Sequence, residues 1–175
     1  TSYSRQTFGN EWINFNQEYY KISIAEDGMY RLSFDQLNDI GFPVSTIDPR
    51  RIQLFYKGIE QSIYIEGQQD LKFDPSDFIE FYGKRNDGTA DTQLYVTPEA
   101  QPHPYYNLFP DTSAYFLTYK LSAETGKRMT SFFENNVGGL PPEENFKQPV
   151  LDLFTTSYHE GESYGITNEI VLSQY

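Results

Sequence analysis

No cysteine occurs among the 175 residues. That absence excludes an internal disulfide framework, a thiol nucleophile and a thiolate metal site within the chain. Basic residues are scarce as well: 13 Lys and Arg stand against 25 Asp and Glu, for a formal net charge of -12. A field of that sign repels phosphate backbones and anionic membrane surfaces, so nucleic acid is not an expected partner. The acidity also keeps a tyrosine-rich surface soluble, which is its plainer use. No apolar run approaches the roughly 20 residues of a membrane-crossing helix, so no direct membrane span is expected. Residues 1–10 lack the charged and apolar regions of a signal peptide, and with no initial Met the chain reads as a trimmed piece of something longer. Only two histidines are present. His103 and His159 are isolated, whereas a zinc site needs three or four convergent ligands. Gly138-Gly139 is followed by neither the Lys nor the Ser/Thr of a phosphate loop, and is expected to be a turn.

What is abundant is aromatic: Phe, Trp and Tyr make up 17% of the chain. With Ala, Leu and Lys too sparse for long helices, these residues suit a pleated surface. The expected fold class is mostly β, an antiparallel β-sandwich of jelly-roll type with one or two short helices, formed by residues 1–175 as a single domain. Tyr20, Ile22 and Ile24 alternate with polar neighbours, Asp27-Gly28 intervenes, and Tyr30, Leu32 and Phe34 resume the alternation, which predicts a hairpin. Asp35 is the expected cap of a short helix through Ile40, with Gly41 as its left-handed exit before Pro43. A second hairpin is predicted from Ile52–Tyr56 through Lys57-Gly58 to Ile63–Ile65. Phe78–Tyr82 is apolar on both faces except at Glu80, the pattern of a central strand covered from two sides. Further strands are expected at Gln93–Val96, Ala114–Lys120, Arg128–Glu134 and Val150–Tyr158. Pro98, Pro102, Pro104 and Pro110 mark one long irregular connection, and residues 138–142 another.

Several of these segments resemble, in spaced residues, the non-catalytic N-terminal region of the gingipain-like cysteine peptidases of the type IX secretion system, the PorU-type sortase and its large surface relatives. The resemblance is carried by Tyr19-Tyr20-Lys21-Ile22, Asp27-Gly28-Met29-Tyr30-Arg31 and Leu37 through Ile40-Gly41. It continues through Asp77 to Gly88 with Asp91 and Leu94-Tyr95, and through Tyr105-Tyr106-Asn107-Leu108-Phe109 with Thr112 and Tyr115-Phe116-Leu117-Thr118. It covers roughly residues 12 to 120. It implies an exported parent protein, periplasmic, outer-membrane-associated or on the cell surface, whose catalytic His and Cys lie downstream. Neither catalytic position carries over to this chain. The fragment is then an accessory module without enzymatic activity, with partners among the downstream domains of its own chain or other secretion-system and envelope proteins.

Residue chemistry offers three further candidates. Asn86, Asp87 and Asp91, with Asp70, Asp74 and Asp77 nearby in sequence, are oxygen donors of the kind calcium takes, although their spacing is not that of an EF-hand. The competing reading is that Asp and Asn cap turns through their own backbone, which is commoner beside Gly88 and Pro75. No other cofactor is expected. Tyr105, Tyr106 and Phe109, with Trp12 and Tyr164, are candidate stacking platforms for a sugar ring in a carbohydrate-binding or adhesion module. Most aromatics in a sandwich are core, and Trp12 is expected there. Glu80 is a candidate acid if buried, and an ion pair with Arg31, Arg51 or Arg85 is the alternative. A hydrolase built on paired carboxylates ranks last.

Overall fold

The computed structural model describes residues 9–101, 104–107, 109–131 and 145. The chain groups into two compact units, Thr1–Ser131 and Phe132–Tyr175. The fold described here is that of the first. The strand expected at Val150–Tyr158, together with His103, His159, Gly138-Gly139 and Tyr164, lies outside the described residues.

Among the described residues, seven strands form two antiparallel sheets, as the sequence leads one to expect. They are β1 (Tyr20–Ile24), β2 (Gly28–Ser33), β3 (Ile52–Tyr56), β4 (Ile59–Gln61), β5 (Tyr64–Ile65), β6 (Phe78–Gly83) and β7 (Ser113–Tyr119). One sheet has the order β1-β7-β3-β4 and the other β2-β6-β5. Alternate residues of each strand point inward and meet in one core. Ile24, Ile52, Leu54, Tyr115 and Leu117 come from the four-stranded sheet, and Ile65, Ile79 and Phe81 from the three-stranded sheet. The Phe81 and Tyr115 rings, one from each sheet, touch across the core with centroids 5.6 Å apart. Burial holds the Tyr115 phenol protonated above its ordinary pKa, and its hydroxyl accepts a bond from the Lys84 amide at 2.9 Å.

The predicted first hairpin does not form. β1 pairs with β7, and β2 pairs with β6, so Asp27-Gly28 carries the chain from one sheet to the other. A two-residue hairpin through Asp-Gly needs a left-handed glycine, and Gly28 is not among the residues with positive φ. The crossing is tied down instead by Asp27, whose Oδ1 accepts from the Arg85 amide at 2.8 Å. In the second predicted hairpin the turn is as expected: Lys57 and Gly58 have φ of 48° and 78°, and Tyr56 pairs with Ile59 across them. The return strand is β4, however, and by Tyr64 the chain has already crossed to pair with β6.

The helix α1 (Phe34–Asp39) is capped by Ser33 rather than Asp35. The Ser33 Oγ accepts from the Gln36 amide at 3.3 Å while the Gln36 Oε1 accepts from the Ser33 amide at 3.0 Å, a reciprocal capping box. Gly41 provides the left-handed exit at φ 77°. Residues Gln93–Val96 are not a strand: Gly88–Leu94 winds as a 3₁₀ helix and Val96 is fully exposed. Of the strand expected at Arg128–Glu134, the described part holds a single bridge between Arg128 and Ile63.

That bridge belongs to a return of the chain along the sandwich edge, and Arg128 secures it. Its guanidinium donates to the carbonyls of Pro49, Arg50 and Ile52 at 2.8 to 3.1 Å and to the Gln68 side chain at 2.9 Å. Burial pulls its pKa below the ordinary arginine value. The carbonyls give it a neutral counterpart to a salt bridge.

Candidate functional site

The outer faces of the two sheets differ in what covers them. On the four-stranded sheet, Phe55 and Phe116 are paired neighbours on β3 and β7, and both point away from the core. The segment of residues 9–19 lies over them. Trp12 packs with centroids 5.1 Å from Phe55, 5.7 Å from Phe116 and 5.6 Å from Tyr19. It is thus a cover for the outer face and not the core residue expected. The Thr118 hydroxyl donates to the Glu18 carbonyl at 2.6 Å, and the Gln17 side-chain Nε2 donates to the Tyr119 carbonyl. Beneath this cover Thr118 and Gln53 are buried although they face outward.

The three-stranded sheet has no such cover among the described residues. Register puts Met29 opposite Tyr82, Arg31 opposite Glu80, Ser33 opposite Phe78, and Tyr64 opposite Glu80 from the other side. Met29, Tyr82 and Tyr64 are 60%, 48% and 41% exposed. The expectation that β6 is covered from two sides is therefore corrected: Ile79 and Phe81 are buried, and the Tyr82 side faces outward.

Glu80 is on that open face. Arg31 donates to its Oε1 through Nε at 2.9 Å and Nη2 at 2.7 Å, and the Arg31 guanidinium lies 3.8 Å from the Phe78 ring centroid. Of the partners named from the sequence, Arg31 is the one that forms the ion pair. A second guanidinium stacks on a ring past the other end of β6, where Arg85 sits 4.3 Å from the Tyr106 centroid.

The calcium candidates and the aromatic candidates come together. The 86–92 loop and the 104–111 loop interlock: the Gly88 amide donates to the Pro104 carbonyl and the Asn86 amide to the Asp111 carbonyl, each at 2.8 Å. Asn86 also donates from Nδ2 to the Pro110 carbonyl. Asp87 caps the 3₁₀ helix, its Oδ1 accepting from the Thr89 amide at 3.1 Å. Desolvation pushes its carboxyl up, but the bonds from Thr89 together with the Lys57 and Lys84 charges bring the net direction down. Asp91 is buried and accepts from the Asn107 Nδ2 at 2.7 Å. The three residues act as turn and loop ties, which is the capping role. Asp77 and Asp70 do the same elsewhere, accepting from the Asp74 and Lys72 amides. No group of three or more His, Asp or Glu positioned to hold a metal occurs among the described residues.

On the interlocked loops Tyr105 and Phe109 remain 51% and 71% exposed, while Tyr106 is partly buried. Arg85 holds the Tyr105 carbonyl at 2.9 Å, so the loop is anchored with its rings outward. Sequence reasoning found these rings and missed the open sheet face, although the alternation of Met29 and Arg31 with Tyr30 and Leu32 was visible.

No family model matches the chain, and neither the curated proteins nor the solved structures contain a match to it.

Proposed function

We propose that this chain is a non-catalytic interaction module of an exported protein, and that the open outer face of the three-stranded sheet is its contact surface. The observation that carries this reading is the composition of that face. Met29, Arg31, Tyr64, Phe78 and Tyr82 lie side by side on a rigid sheet, and Met, Arg and aromatic residues are the types enriched at the cores of protein interfaces. The carboxylates singled out from the sequence support it too, since they are engaged in caps and an ion pair. The resemblance to the N-terminal region of gingipain-like peptidases supplies the occupant: a downstream domain of the same parent chain. The test is calorimetric titration of this chain with the polypeptide that follows it in the parent. A Met29→Glu/Tyr82→Glu variant is expected to bind at least tenfold more weakly at an unchanged Tm. Absence of binding by the wild-type chain sinks the proposal.

A second reading, carbohydrate binding, draws on Tyr105 and Phe109, which are exposed on an anchored loop. Aromatic faces at fixed positions stack on sugar rings at low entropic cost. An oligosaccharide array probed at high protein concentration decides it, and a blank array removes it.

A further inference from the structure

A cavity of about 580 Å³ opens where the start of α1, residues 45–48 and residues 71–75 converge on Arg51. Its volume lies within the roughly 300–1,000 Å³ range of small-molecule sites. Arg51 is fixed by its backbone at the junction of a 3₁₀ turn and β3: its amide donates to the Asp48 carbonyl and its carbonyl accepts from the Lys120 amide, both at 2.9 Å. Its side chain makes no hydrogen bond or ion pair among the described residues, and its Nε is a buried donor without an acceptor. Such a donor penalises the folded state. The Asp48 carboxylate in the cavity lining does not accept from it, because Asp48 is gripped through both oxygens by Arg50 at 2.7 to 3.2 Å; that bond first, with a smaller contribution from the Arg51 charge, holds the Asp48 carboxyl below its ordinary pKa.

We propose that this cavity binds a carboxylate carried on an apolar body, with the Arg51 guanidinium as its receptor. The Nη edge of a guanidinium matches a carboxylate with two parallel bonds. Lys72 adds a second cation to the lining. Phe34 and Phe73, stacked at 6.2 Å with planes 14° apart, form an apolar wall. Asp48 and Asp74 also line the cavity, so a doubly charged anion meets repulsion that a single carboxylate largely avoids. The site shares no residue with the open sheet face, and the proposal stands or falls independently of that reading.

The experiment is a titration of the ¹⁵N-labelled chain followed by amide and Arg Nε–H NMR shifts. The probes are phenylacetate, its neutral analogue phenylacetamide, inorganic phosphate and N-acetyl-phenylalanine. Phenylacetate is expected to shift the Arg51 Nε–H and the amides of Leu71 and Phe73 saturably, with phenylacetamide and phosphate each at least tenfold weaker. Tighter binding of N-acetyl-phenylalanine than of phenylacetate assigns the site to a peptide chain terminus, and weaker binding to a free organic acid; both keep the proposal. Arg51→Met is expected to lose binding at least tenfold while its Tm stays at or above that of the wild type, because the orphaned donor is gone. Lys72→Met, at an exposed position, is expected to weaken binding several-fold without affecting folding. Equal affinity for acid and amide, or unaltered binding by both variants, overturns the proposal.

Discussion

The two sheets of this molecule solve the same problem differently. Each has aromatic side chains on its outer face, Phe55 and Phe116 on one and Phe78 and Tyr82 on the other. The four-stranded sheet is roofed by the chain's own residues 9–19, with Trp12 as the main contact. The three-stranded sheet leaves Met29, Tyr64 and Tyr82 open. The difference teaches that apolar content alone does not identify a contact surface. What matters is whether the chain has already spent a segment of itself covering it.

That comparison can be broken most forcefully at Trp12. Trp12→Ala is expected to destabilise the chain by about 2 kcal/mol, somewhat below the cost of a fully buried ring, because Trp12 is only half-buried. Urea unfolding measures it, and a change near zero would mean that the roof contributes nothing to the fold. Thr118→Val removes the hydroxyl that holds the Glu18 carbonyl. It is expected to cost about 1 kcal/mol, the net value of one buried hydrogen bond, with faster hydrogen exchange confined to residues 12–19.

A pH effect sharpens the comparison further. The single Tyr20 O–H proton is shared between the Glu18 carboxylate at 3.0 Å and the Gly41 carbonyl at 3.1 Å. Desolvation first, then the bond to Glu18, raises its pKa from 10.0 to about 12. A group raised in the folded state stabilises it fully below the unfolded value and loses that contribution as pH climbs through the folded one. Stability is therefore expected to decline between about pH 10 and 12. Tyr20→Phe is expected to decline less steeply over that window in a Tm-against-pH series. The smallest effect belongs to the open face. Tyr82→Ala and Glu80→Gln are each expected to change stability by no more than about 0.5 kcal/mol, since the first is a half-exposed ring and the second an exposed ion pair. A loss comparable to that of Trp12→Ala would show that the two faces are not different in kind.

Much of the fold was legible in local pattern. The period-2 runs, the Lys57-Gly58 turn and the Gly41 exit all lie where the sequence puts them, because each is settled by backbone geometry a few residues wide. Partner choice was not. The runs on either side of Asp27-Gly28 alternate as a hairpin would, but alternation says which residues face inward and not which sheet a strand joins. The helix start was misplaced by two residues because Asp35 is also a good capping type, and only the Ser33 to Gln36 reciprocity decides between them. Leu94-Tyr95-Val96 has the side chains of a strand, yet the preceding residues wind as a 3₁₀ helix and leave Leu94 and Val96 largely exposed. At the site level, Tyr105 and Phe109 were identifiable as exposed loop aromatics. Arg51 and Arg128 were not: one has a buried Nε with no acceptor among the described residues and the other bonds backbone carbonyls more than 70 residues away. Neither leaves a mark in sequence spacing.

The place of β7 in the sheet has a consequence for how the chain is made. It is the last strand in order among the described residues, yet it lies between β1 and β3 and hydrogen-bonds both. During synthesis β1 has no partner until residues 113–119 have left the ribosome. Until then its apolar edge is open to any neighbouring strand, and pairing across such a sequence distance is slow to form. The β3–β4 pair and the three-stranded sheet need nothing beyond residue 83, but the four-stranded sheet of a nascent chain is completed only when β7 arrives.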